Sequence, residues 1–200
     1  MTTTKLQLSN CTLIVLTNKD FEGHKRAIDE SCKGIEFGAV KLVWDEKCTS
    51  IDEWNRKIVF ELGQYVDTEY AILIHADGYI TNPELWDDKW LNYDYIGAPW
   101  PLPSPSDMVS YRDRGGVVRR VGNSVSLRSK RLLDLPKKLG MEWKAYHGFT
   151  NEDGYICVNN VHIFEDHGMR IAPLEIARHF SKEHEILENV GLSTFAFHSL

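Results

Sequence analysis

The chain has 200 residues, with 29 Asp/Glu against 23 Lys/Arg and a formal net charge of −6. Hydrophobic residues make up 42% and charged residues 26%, which excludes disordered, collagen-like and low-complexity classes. A chain of this length buries roughly 70% of its unfolded surface, so it needs no disulfide or metal to hold a core.

The acidic balance argues against general nucleic-acid binding. The charge is uneven, however: Tyr111–Lys144 carries ten Lys/Arg against three Asp/Glu. Such a segment can meet a phosphate or an acidic partner, or can be a solvated surface. No apolar run approaches the roughly 18–20 residues of a membrane span. Met1–Asn10 is polar and lacks the apolar centre of a secretion signal, so a cytoplasmic address is expected. Cys11, Cys32, Cys48 and Cys157 are scattered, which reads as free thiols rather than a disulfide framework or zinc ribbon.

Cys11–Thr17 (CTLIVLT) is a continuous apolar, β-branched run and predicts a buried strand. A loop and helix follow over Asn18–Lys33, ended by Gly34. Phe37–Trp44 predicts a second strand, closed by Asp45. Ser50 with Glu53 three residues on forms a capping box, and Ile51, Trp54, Ile58 and Leu62 give helical spacing behind it. Tyr70–Ile74 predicts a third strand running into His75-Ala76-Asp77-Gly78. Strand–helix–strand–helix–strand implies a parallel βαβαβ unit with helices on both faces. Ligands in such sheets bind beyond the carboxyl ends of the strands. Thr17, Asn18, Asp45, His75 and Asp77 stand there.

Beyond residue 80 the pattern loosens. Pro99, Pro101, Pro103 and Pro105 mark a surface loop over Pro99–Arg114. Val117–Leu127 predicts a strand or hairpin, and Ser129–Leu135 a helix that Pro136 interrupts or ends. Asn151–His167 reads as partly helical and Ile171–Ile176 as a last strand.

Several clusters can carry chemistry. His75-Ala76-Asp77 places an imidazole and a carboxylate at a strand end, a pair suited to Mn²⁺ or Mg²⁺ completed by phosphate oxygens. A turn-capping Asp beside a packed His accounts for the same residues. Glu152-Asp153 opens a helix, either as a general base for an acceptor hydroxyl or as ordinary N-terminal charge. Gly122-Asn123-Ser124 offers close backbone approach and neutral hydrogen bonds to sugar hydroxyls, or an ordinary turn. His198 is a packed or exposed residue, or a metal ligand from a distant point of the chain. Arg26 and Arg56 are surface arginines or phosphate partners. The sequence lacks GxGxxG, GxxxxGK[ST] and GxSxG motifs, which weakens dinucleotide, P-loop and hydrolase readings.

Taken in order, Asn55-Arg56, Ile74-His75-Ala76-Asp77, Asp94–Trp100 (DYIGAPW), Gly122–Arg128 (GNSVSLR) and Glu152-Asp153 resemble the GT-A glycosyltransferases. They look similar to small glycosyltransferases encoded by large algal DNA viruses. The resemblance spans about Cys11 to His198 and rests most on DYIGAPW and GNSVSLR. It implies one α/β, Rossmann-like GT-A domain with a central, mostly parallel mixed sheet and helices on both faces. Residues of about 11–80 would form the nucleotide-binding half and about 81–200 the sugar and acceptor half.

It further implies transfer of a hexose, glucose or rhamnose, from a UDP-sugar to a glycan or glycoprotein acceptor, with Mn²⁺ or Mg²⁺. Asp77 and His198 would ligate the metal. His75 replaces the first Asp of the family's DxD motif, and with Ala76 lines the diphosphate. Thr17, Asn18 and Asp45 would lie near base and ribose. Arg56 would hold Asp77 or the diphosphate, and Gly122, Asn123 and Ser124 would lie by the sugar. Asp153, or Glu152, would be the base of an inverting enzyme. If the source is viral, the address is the host cytoplasm, and the chain can be one domain of a longer polypeptide. The rivals are a metal-dependent phosphoesterase and a non-catalytic sugar-binding module.

Overall fold

The computed structural model describes residues 5–106, 111–122, 125–144 and 151–199. Strand β1 (Leu6–Thr17) starts before the apolar run, and its last seven residues are all buried. It is the middle of three parallel strands, flanked by β2 (Ile35–Trp44) and β3 (Tyr70–Leu73). The crossovers are helices α1 (Phe21–Ser31) and α2 (Ile51–Phe60). This is the βαβαβ unit that the sequence predicts.

The later half of the chain extends the same sheet. Strand β5 (Ser126–Ser129) pairs antiparallel with β3, and β4 (Tyr95–Ile96) pairs antiparallel with β5. The order is β2-β1-β3-β5-β4, and only β5 runs against the other four. The sheet is therefore mostly parallel, mixed and flanked by helices.

A parallel strand buried on both faces is nearly continuously apolar, because alternate side chains point to opposite layers. In β1, Leu13 and Val15 join a cluster with Ala27 of α1. Ile14 and Leu16 join another with Ile58 of α2. In β3, Ile72 divides in the same way from Ala71 and Leu73. Ser50 caps α2 by accepting from the Glu53 amide at 3.1 Å, while the Glu53 carboxylate returns to the Thr49 amide at 3.3 Å.

Two expectations fail. Helix α3 (Lys130–Lys138) runs through Pro136 instead of ending there. Proline forfeits one amide bond, and here its ring is buried beside Leu132, Leu133 and Leu135 on the inward side. Ile171–Ile176 is not a strand: Ile171 makes one bridge to Tyr95, and Pro173 then caps a helix. Between Glu152 and Phe180 the chain is mainly helical, as α4 (Glu152–Gly154) with a π-turn over Tyr155–Asn159, α5 (Val161–Asp166) and α6 (Leu174–Phe180). Two very short strands, β6 (Ser181–Lys182) and β7 (Ala196–Phe197), pair in parallel and form a second sheet. Among the described residues no helix is long and apolar enough to cross a membrane.

Candidate functional site

The carboxyl ends of β1 and β3 lie side by side, and the chain leaves β3 in a tight hairpin. The His75 amide donates to the Gly78 carbonyl at 2.7 Å, and the Gly78 amide returns to His75 at 3.3 Å. Residues 194–199 then run antiparallel beside residues 77–82. The bridge of Ile80 to Ala196 and the bonds from Phe197 to Tyr79 and from Ser199 to Asp77 stitch the two together. That pairing carries His198 over the hairpin.

The His198 ring lies 5.2 Å from the His75 ring, and its Nε2 is 3.6 Å from Asp77 Oδ1. On the other side its Nδ1 is 3.2 Å from Glu183 Oε1. Ser199 donates its hydroxyl to Asp77 Oδ2 at 2.8 Å. Gly78 makes the approach possible: a Cβ there would stand 2.6 Å from His198 Cδ2 and 2.7 Å from Val125 Cγ2. Trp54 of α2 closes the inner side, its ring 5.4 Å from His75 and its indole N–H bonded to the Leu16 carbonyl at 2.7 Å.

The charges follow from this packing. His75 keeps part of its surface, but its Nε2 is buried with no hydrogen-bond partner. Burial, with the nearby His198, pushes the ring down to about 3, so it is neutral at pH 7. For His198, burial acts downward. The Glu183 hydrogen bond and the charges of Glu183 and Asp77 outweigh it and raise the ring above the usual histidine value. Asp77 loses some hydration, yet the Ser199 bond and the adjacent His198 hold its carboxyl below the ordinary range.

A buried ion pair lies beneath. Arg128 and Glu152 are 0% and 1% exposed, joined at 2.6 Å from Nη2 to Oε1. Arg128 also donates from Nε to Ser126 Oγ and lies over the Tyr95 ring, 5.0 Å from its centre. Its Nη1 is buried without a partner. The Glu152 charge contributes to the rise at His198, and Arg128 to the fall at His75. The pair therefore lies within electrostatic reach of both histidines. Asn55, buried on α2, accepts the Glu152 amide at 3.1 Å and pins the start of α4. Asp153 is also buried, and its Oδ1 accepts the Gly154 amide at 2.6 Å.

The remaining candidates divide. Thr17 uses its hydroxyl within its own turn, bonding both backbone groups of Lys19. Asn18 and Ala76 are half-buried at the ends of β1 and β3. Both Asp45 oxygens are engaged within the protein, Oδ2 by Lys57 at 2.7 Å and Oδ1 by the Lys47 amide at 3.0 Å. Arg56 turns to Glu61 at 2.9 Å, where the resemblance implies that it holds Asp77 or the diphosphate. Gly122 is required by the protein itself: a Cβ would stand 1.9 Å from Trp100 Cζ2. Asn123 and Ser124 lie outside the described residues. Sequence reasoning missed Glu183, Ser199 and the role of Asn55. Only the C-terminal pairing shows the first two, and only the fold shows the third.

Asp77 and His198 stand 3.6 Å apart, a span that one ion at roughly 2.1 Å from each can bridge. Among the described residues no group of three or more His, Cys, Asp or Glu is arranged to hold a metal.

No curated protein matches the sequence. Among solved structures, a glycosyltransferase involved in the glycosylation of the major capsid of PBCV-1 is similar in fold. The TM-score is 0.60 at 14% identity, covering 94% of this chain and 92% of that one. The chain thus shares an α/β fold found in a glycosyltransferase. Residues 45–198 match the family described as "Protein of unknown function (DUF5672)", and with that match over most of its length the chain belongs to this family.

Proposed function

We propose that the chain is a GT-A type glycosyltransferase, dependent on Mn²⁺ or Mg²⁺. It would move a hexosyl group, glucose or rhamnose, from a UDP-sugar to a hydroxyl of a glycan or glycoprotein. The observation that carries this is the meeting of Asp77 and His198 at the carboxyl ends of β1 and β3. It occurs where an α/β sheet binds its ligand, in a fold shared with a glycosyltransferase.

In this reading Asp77 and His198 hold the ion, and the donor diphosphate fills its other positions. The ion supplies positive charge where the leaving diphosphate develops negative charge. His75, neutral and half-buried, walls the site and offers no competing cation. Thr17 and Asn18 lie where base and ribose would rest. Asp153, or Glu152, which is paired with Arg128, would accept the proton of an attacking acceptor hydroxyl in an inverting transfer.

Titration calorimetry with UDP, with and without Mn²⁺, is the test. UDP should bind only with the metal, and Asp77→Asn or His198→Ala should weaken binding at least about tenfold. Equal UDP affinity without metal, or in both variants, would overturn the assignment. Heat from Mn²⁺ alone, with no nucleotide bound, would favour a phosphoesterase instead.

A further inference from the structure

We infer that Glu183 is a positioning residue: it fixes the ring of His198 so that Nε2, not Nδ1, faces Asp77. The inference rests on the site proposed above and adds a residue to it.

The backbone sets up the pair. Strands β6 and β7 pair in parallel, with Ser181 opposite Ala196 and Lys182 opposite Phe197. The ladder continues one step, the His198 amide bonding the Lys182 carbonyl at 2.9 Å. The next residue on the β6 side is Glu183, which the same register places beside His198. Their side chains are only 20% and 18% exposed, so water screens the contact little. Glu183 Oε1 is 3.2 Å from His198 Nδ1, while Nε2 on the opposite side of the ring is 3.6 Å from Asp77 Oδ1. Glu183 Oε2 is turned to His184 at 3.6 Å.

An imidazole has two ring nitrogens and a broad, two-fold χ2 preference. Without a partner on one edge, either nitrogen can face Asp77 and either can carry the proton. A carboxylate on Nδ1 settles both. It requires Nδ1–H, which leaves the Nε2 lone pair directed to the Asp77 side, where an ion would be held. Carboxylate–histidine pairs of this kind orient metal-binding histidines, and their loss typically lowers metal affinity about 10–100-fold.

The test has two arms on the full chain. In the metal-free protein, above the titration of the ring, long-range ¹⁵N–¹H NMR reads the His198 tautomer. The expected result is Nδ1–H in the parent, with Nε2–H appearing in Glu183→Ala. In the second arm, Mn²⁺ affinity in the presence of UDP is read from the electron paramagnetic resonance of free Mn²⁺. Glu183→Ala should lose about 10–100-fold, and Glu183→Gln, which keeps an acceptor for Nδ1–H, should lose less. Circular dichroism checks the fold, and the Gln variant keeps the test decisive if the Ala variant unfolds. An unchanged tautomer in Glu183→Ala overturns the inference. So does unchanged Mn²⁺ affinity where His198→Ala loses it, and the site itself then survives. If His198→Ala also keeps full Mn²⁺ affinity, the site and this inference fall together.

Discussion

Replacing Arg128 with Met should be among the most damaging single changes in this chain. The guanidinium is 0% exposed and its partner Glu152 is 1% exposed, so the variant leaves a carboxylate enclosed without its counter-charge. Removing one member of a buried pair costs about 3–5 kcal/mol. For a protein of about this size, each kcal/mol shifts the midpoint by about 2–4 °C, so a fall of about 6–20 °C is expected. Urea unfolding, with the slope unchanged, gives the free energy directly. The double variant Arg128→Met/Glu152→Leu tests the cause. It also removes the Glu152 carboxylate that the single variant strands, so no buried charge is left without its partner. The double variant should therefore recover most of the loss. A single-variant cost below about 1 kcal/mol, or a double variant worse than the single, would refute the reasoning.

Gly122→Ala should destabilise by about 1–3 kcal/mol, because the new methyl would stand 1.9 Å from the Trp100 ring; in a Trp100→Ala background the cost measured by urea unfolding should vanish. Asn55→Ala should cost about 1–3 kcal/mol in the same assay by leaving the buried Glu152 amide without its acceptor. Asp45 supplies a pH test. The Lys57 hydrogen bond holds its folded carboxyl below the ordinary value. The stability it contributes is present above the unfolded value of about 3.9 and is lost as pH falls through the folded one. The advantage of the parent over Asp45→Asn should accordingly be steady near pH 7 and shrink from about pH 4 downward; a gap independent of pH would show that the ion pair is not the source.

The first half of the fold was legible because its signals are local. Cys11–Thr17 is apolar over Leu13–Leu16 and flanked by two threonines, and all seven residues are buried. Ser50 and Glu53 announce a helix start that the structure contains. The later half depends on contacts the sequence does not display. Strands β6 and β7 are two residues each, too short for any period. Ile171–Ile176 has the composition of a strand, but Pro173 begins a helix within it. Pro136 suggests a break, yet burial keeps it inside α3. Of the candidate site, His75 and Asp77 were readable from their place after an apolar strand, whereas His198 was one open candidate among eight histidines, with nothing local to place it beside Asp77. Arg128 falls inside a recognisable segment, but nothing in the sequence says that its guanidinium is enclosed with Glu152. Glu183 carried no signal, because its meaning is the register between two strands of two residues each.

The stitching of residues 194–199 onto the β3 hairpin makes two equilibria into one. Asp77 stays with the sheet if that segment peels away, whereas His198 leaves with it. Any ligand that takes both groups at once is therefore also a clamp on the segment. It adds RT ln(1 + [L]/Kd) to the free energy of local opening. At a hundredfold excess over Kd that is about 2.7 kcal/mol, or about a hundredfold slower cleavage by a protease that needs the segment free. The rate at which the chain is trimmed would then report occupancy of the site without any turnover being measured.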